Sequence, residues 1–184
     1  RWLTERRVLN MAHGALFTVG GYAALTIVVD ADLPVALGLL GAVVASGVLG
    51  AILYVGVIAP LMRRPDWENT TLAAGLGAAV LIEAAIILIY GSREKPLPTI
   101  VGGDFRLPGG VTATGQGILM MVVGVVVLLG LGLFLARSRY GIAIRALASN
   151  RRGAQIVGVN VGLLLLGVFT VGSALSGLAG VLYS

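Results

Sequence analysis

Five long apolar runs, separated by shorter polar stretches, account for most of the chain. The first, NMAHGALFTVGGYAALTIVV, covers Asn10 to Val29 and closes at Asp30 and Asp32. A bilayer core of roughly 30 Å takes about 20 helical residues, so this run is just long enough to span. Pro34 opens a second run that reaches about Pro60 and ends at Arg63 and Arg64. The third lies between Thr70 and Tyr90, the fourth between about Ile118 and Ala136, and the fifth starts near Leu163 and is still apolar close to Ser184. Residues 91–117, GSREKPLPTIVGGDFRLPGGVTATGQG, are rich in Gly and Pro, which predicts turns and strand pieces rather than helix. Residues 137–160, RSRYGIAIRALASNRRGAQIVGVN, form a basic, weakly helical segment between the last two runs. The expected fold is all-α: one polytopic membrane domain over 1–184 with about five transmembrane helices. Because the chain opens on Arg1 without a methionine and its last run stops unfinished, the domain is expected to be incomplete at both ends.

Composition supports the membrane reading and charge orients it. At 58% hydrophobic and 11% charged, with a mean hydropathy of +1.00, a soluble chain of this length would expose far more apolar surface than water tolerates. The net charge of +5 would suit a nucleic-acid binder, but 12 of the 13 basic residues are Arg and most flank apolar runs, where they act as anchors. Nucleic acid is therefore not an expected partner; the lipid bilayer is. Arg1, Arg6, Arg7, Arg63, Arg64, Arg137, Arg139, Arg145, Arg151 and Arg152 fall on one side of an alternating five-span path. Only Arg93, Lys95 and Arg106 fall on the other. The positive-inside bias makes the first side cytoplasmic, with 91–117 an outer-face loop and 137–160 a cytoplasmic one.

Inside the spans, small residues recur at helical spacing. Gly172, Ser176 and Gly180 lie four apart, Ser173 and Gly177 repeat the step on an adjoining stripe, and Ser46 with Gly50 does so in the second run. In lipid no hydrophobic effect pairs helices, and small residues let backbones approach closely enough to gain dispersion instead. Glu83, in AAVLIEAAIILIY, is the one acidic residue deep within a span. Its charge is costly there, so it faces protein or water, either on a solute path or in a hydrogen bond between helices. Asn10, His13 and Gly14 form a second polar group. Asn10 can cap the first helix with His13 at the headgroup level, or a bend at Gly14 can place these groups around a cavity.

Catalytic chemistry finds no support. With a single His and no Cys there is no ligand set for a metal site. No G-x-x-x-x-G-K-[ST] phosphate loop exists, and the only lysine is in the outer loop, so the chain does not itself hydrolyse ATP. GSALSG, Gly172 to Gly177, has Ala174 where an intramembrane serine protease needs glycine. No catalytic residue and no cofactor is expected.

The stretches VLNMAHGALFTVGGYAAL (8–25), TTLAAGLGAAVLIEAAIILIYGS (70–92) and YGIAIRALASNRRGAQIVGVNV followed by FTVGSALSGLAGVLYS resemble the LivH-type permeases of branched-chain amino-acid ABC transporters. The resemblance implies a permease subunit of a bacterial inner-membrane importer. Its implied partners are a second related permease subunit, cytosolic ABC ATPase subunits and an extracytoplasmic substrate-binding protein delivering leucine, isoleucine or valine. Asn10, Ala12, His13 and Gly14 match the family's N-x-A-H-G motif near the translocation path, and Glu83 falls where the family has Glu or Gln. The stretch Asn150 to Gly158 matches the loop that seats on the ATPase, a short helix ended by a glycine that permits a left-handed turn. This implies a docking set of Arg145, Asn150, Arg151, Arg152, Gly153, Ala154 and Gly158. Where that loop has Glu-Ala-Ala, this chain has Arg152-Gly153-Ala154, so the family's carboxylate contact does not carry over. A channel or secondary carrier for a small polar solute such as urea, an amide or an amino acid is the alternative; it would need no ATPase but would need more paired intramembrane charge than Glu83.

Overall fold

The computed structural model describes residues 13–62, 66–91, 97, 101–106 and 112–183. Among them, five helices are long and apolar enough to cross a membrane: His13–Asp30, Val35–Leu61, Asn69–Tyr90, Gly115–Arg137 and Val161–Tyr183. They fall on the five apolar runs, and the chain is an all-α polytopic membrane protein.

In chain order, α1 (His13–Leu25) passes into a π turn, Thr26–Asp30. A tight reversal follows, with Asp32 in the left-handed region at φ 53°, a conformation that Asp tolerates better than most residues. Pro34 then starts α2 (Val35–Leu53), which continues through a second π turn, Tyr54–Ile58, into the short α3 (Ala59–Leu61). After α4 (Trp67–Tyr90), the loop that follows carries β1 (Asp104–Arg106) and β2 (Thr112–Thr114), an antiparallel pair with Phe105 opposite Ala113. Then come α5 (Gly115–Arg137), α6 (Arg139–Ser149), α7 (Arg151–Ile156) and α8 (Val161–Tyr183).

Three helices start earlier than their apolar runs do, α4 at Trp67, α5 at Gly115 and α8 at Val161, and for α5 and α8 a side-chain cap is the reason. Thr114 Oγ1 accepts the N–H of Gly117 at 3.3 Å, drawing residues 115–117 into α5. Asn160 Oδ1 accepts the N–H of Leu163 at 3.1 Å and begins α8 at Val161. Each cap satisfies one of the backbone donors that a helix start leaves open.

Contacts gather into two compact sets. The first contains α1 to α4 and residues Phe169–Leu182 of α8. Its centre is a stripe on α2 in which Gly38, Ala42, Ser46 and Gly50 are buried at every fourth position, continued by Tyr54 and Ile58 of the π turn. The large aliphatics of the same helix, among them Leu40, Val44, Val48 and Ile52, are exposed. In water this arrangement would be inside out, whereas in lipid it lets backbones close together and leaves bulky side chains to the acyl chains. Ser46 Oγ donates to the carbonyl of Leu16 on α1 at 3.1 Å, with both residues fully buried. Between the end of α1 and the end of α4, Thr26 Oγ1 and the hydroxyl of Tyr90 lie 2.7 Å apart, and the rings of Tyr22 and Tyr90 pack with centroids 4.6 Å apart.

The second set runs from Pro98 to Val168. Gly115 N–H donates to the Gly103 carbonyl at 2.8 Å, tying the start of α5 to the strand pair, and Gly115 is the buried residue of α5. At the other end of α5 the chain turns within one residue: Ser138 Oγ accepts the Gly141 N–H at 2.8 Å and caps α6. A Cβ on Gly141 would overlap the backbone of Leu135, and the Arg145 guanidinium donates to the Leu135 carbonyl.

A side chain added at Gly177 would meet Ser46 and the backbone of Ala42, whereas one added at Gly124 on α5 would meet nothing within 4 Å. Gly177→Val is therefore expected to cost about 1–3 kcal/mol by overpacking. The drop in thermal unfolding midpoint of the detergent-purified protein should be seen for Gly177→Val and not for Gly124→Val; equal midpoints would contradict the seam.

Candidate functional site

In the first compact set, α8 lies against both α1 and α2 through its small residues. A Cβ at Gly20 would overlap the Cα of Gly177, one at Gly180 would overlap the carbonyl of Phe17, and one at Gly50 would overlap Ser173 Oγ. Ser173 and Gly177 thus face α2, while Gly177 and Gly180 face α1. Ser176 bonds back to its own helix, its Oγ donating to the Gly172 carbonyl at 3.1 Å. Such back-bonding satisfies a hydroxyl without a neighbour and eases a helix into a slight bend.

His13, at the exposed start of α1, is brought to the same seam: its Nε2 lies 3.5 Å from where a Gly172 Cβ would stand. Gly14 beside it is exposed, with nothing within 4 Å of an added side chain. A polar imidazole and a small-residue helix therefore meet at one end of the packed group. Asn10, the third member of that motif, lies outside the described residues. Glu83 is exposed on α4, next to the buried positions Ala79 and Ile86, and makes no hydrogen bond or ion pair among the described residues. Within this chain it is neither in the seam nor beside His13.

The basic loop is built in the second set. Asn150 separates α6 from α7 and caps the latter, its Oδ1 accepting the Gly153 N–H at 3.0 Å. At the far end of α7, Gly158 takes φ 84°, its N–H donates to the Gln155 carbonyl at 3.1 Å, and the Val159 N–H reaches the Ala154 carbonyl at 3.0 Å. These paired bonds are a Schellman closure, with glycine in the left-handed position that the family resemblance implies. Ala154 is buried at 3% exposure, so it holds α7 in place rather than facing outward. Outward-facing instead are Ile156, 85% exposed, and Val157, 76% exposed.

Sequence reading missed several participants. Leu16, Gly20, Gly38 and Ala42 belong to the seam, and the four-residue step from Gly38 through Ala42 to Ser46 and Gly50 was the available signal. Ile156 and Val157 were also missed; two adjacent aliphatics just before a turn glycine in a basic loop marked them. Among the described residues no group of three or more His, Cys, Asp or Glu could hold a metal ion.

Comparison with known proteins gives the chain a family. The model of the family described as "Branched-chain amino acid transport system / permease component" matches residues 3–184. The chain is 30% identical over 185 residues to the high-affinity branched-chain amino acid transport system permease protein BraD of Pseudomonas aeruginosa, a match covering 95% of this chain and 60% of that protein. It is 26% identical over 187 residues to the corresponding permease protein LivH of Escherichia coli K12, with the same coverage. To the probable LivH permease of Methanocaldococcus jannaschii it is 31% identical over 191 residues, covering 94% of this chain and 56% of that protein. The chain thus spans about 60% or less of the length of these relatives. No solved structure matches it.

Gly158→Ala forces a Cβ into the left-handed region and should cost roughly 1–2 kcal/mol locally. The α7 turn should then open to trypsin at Arg151 and Arg152 faster than in the parent; unchanged cleavage would contradict the closure described above.

Proposed function

The chain belongs to the family of permease components of branched-chain amino acid transport systems, and we propose that it is membrane-spanning machinery of an ATP-driven ABC importer in the bacterial inner membrane. The substrate class is branched-chain amino acids, as in the names of the relatives. Translocation then needs a second, related permease subunit, cytosolic ATPase subunits that carry out the hydrolysis, and an extracytoplasmic protein that hands over the substrate. This chain's part is to bind and move, not to catalyse.

The observation that carries the reading is the outward face of α7. Ile156 and Val157 stand exposed at the end of a short helix fixed by the Asn150 cap and the Gly158 closure. The segment around them carries Arg145, Arg151 and Arg152. Two bare aliphatics on a rigid helix end are an apolar plug suited to a partner's cleft. ATP-driven closure of the ATPase pair would carry α7 with it. Helices α1, α2 and α8, locked backbone to backbone through Gly20, Gly177, Gly180 and Ser46, would then rock as one body, with His13 and Gly172 at its edge. A single rigid group with two resting arrangements fits alternating access better than helices that deform continuously.

The test is Ile156→Asp in the complete protein with its ATPase and binding protein. A carboxylate buried in an apolar contact costs well over ~1.4 kcal/mol, so uptake should fall by at least about tenfold at normal membrane levels of the protein. Unchanged uptake would remove α7 as the docking element. Uptake that persists without any ATPase would favour a channel or carrier.

A further inference from the structure

Within the first compact set lies a cavity of about 10 Å³, lined by residues that include Leu16, Gly50, Val57, Gly75, Phe169 and Ser173. Four helices and one π turn meet around it. Ser173, on its wall, is fully buried, and its Oγ has no hydrogen-bond partner among the described residues. Its counterpart across the seam, Ser46, differs in having the Leu16 carbonyl to bond to. Ser173 Oγ sits in the space that Gly50 leaves by having no side chain, so any bulkier residue at position 50 would displace it.

We propose that this cavity is a binding site for one water molecule, held by Ser173 Oγ and by the backbone carbonyl of Phe169. A volume near 10 Å³ matches one water-sized sphere and nothing larger. Purely apolar cavities of that kind stay dry, but a hydroxyl on the wall gives water its first partner. A second partner comes from the backbone. The Phe169 carbonyl lies 3.4 Å from the point a Gly50 Cβ would occupy, beside Ser173 Oγ. A carbonyl already bonded within a helix keeps a second lone pair. The water gives the buried Ser173 hydroxyl the partner that the Leu16 carbonyl gives Ser46.

The experiment is a structure of the complete protein at a resolution that shows ordered water, for the parent and for Ser173→Ala, with thermal unfolding of both. The expected result is a density peak within hydrogen-bond distance of Ser173 Oγ, lost in Ser173→Ala together with a fall of a few degrees, about 2–4 °C, in the unfolding midpoint. A cavity without density overturns the proposal. So does Ser173 Oγ turned onto the Phe169 carbonyl, or a Ser173→Ala protein that unfolds at or above the parent's temperature, because removing an unpartnered buried hydroxyl relieves a penalty instead of breaking a bond.

Discussion

Close approach of helix backbones is the constraint from which the rest of this molecule follows. Where α8 meets α1 and α2, the Cα of Gly177 lies so near Gly20 that no side chain fits between them, and Ser46 fills the remaining gap while donating to Leu16. Lipid tails are as apolar as leucine, so burying leucine between helices gains little there; intimate contact and a buried hydrogen bond gain more. The sequence accordingly places glycine, alanine and serine inward and valine, leucine and isoleucine outward. Substituting larger apolar residues along the seam, the usual way to strengthen a soluble core, would here drive the helices apart.

The basic loop obeys the opposite solvent logic. It cannot rely on lipid, so it is held by polar caps at each break: Ser138 before α6, Asn150 before α7, Asn160 before α8. Between the last two caps the left-handed Gly158 ends α7 abruptly and leaves Ile156 and Val157 uncovered. A loop so fully pinned presents a defined surface, which is what a partner driving motion through it requires. Within one chain, then, apolar side chains exposed in the spans meet lipid, whereas Ile156 and Val157 stand exposed on a helix end held by polar caps.

Much of the architecture was legible because its signals are long. Spans of about 20 apolar residues, Pro34 at a helix start and arginines at the boundaries identify five crossings almost independently of context. The helix end at Gly158 was legible too, since left-handed closure has a residue-specific cost that glycine alone escapes. The seam was only half legible. Ser46, Gly50, Gly172, Ser173, Gly177 and Gly180 stood out by spacing, and Gly38 and Ala42 extend the same four-residue step, but Gly20 did not stand out, because hydrophobicity barely differs between the two faces of these helices. Nor could spacing say that Ala154 turns inward while Ile156 turns outward; that depends on how α7 is set by its two caps. Glu83 illustrates a further limit: its spacing within the run placed it deep in a span but did not say which way it faces, and in this chain it is exposed on α4.

The central claim, that the face of α7 ending at Gly158 is where this permease engages an ATPase, is tested most directly by a crosslink. The chain has no cysteine of its own. A single Val157→Cys in the complete protein, cleared of cysteines elsewhere and co-expressed with its ATPase, should crosslink to that subunit with a yield that changes when ATP is added. A stably inserted protein that gives no crosslink, or one indifferent to nucleotide, would contradict it.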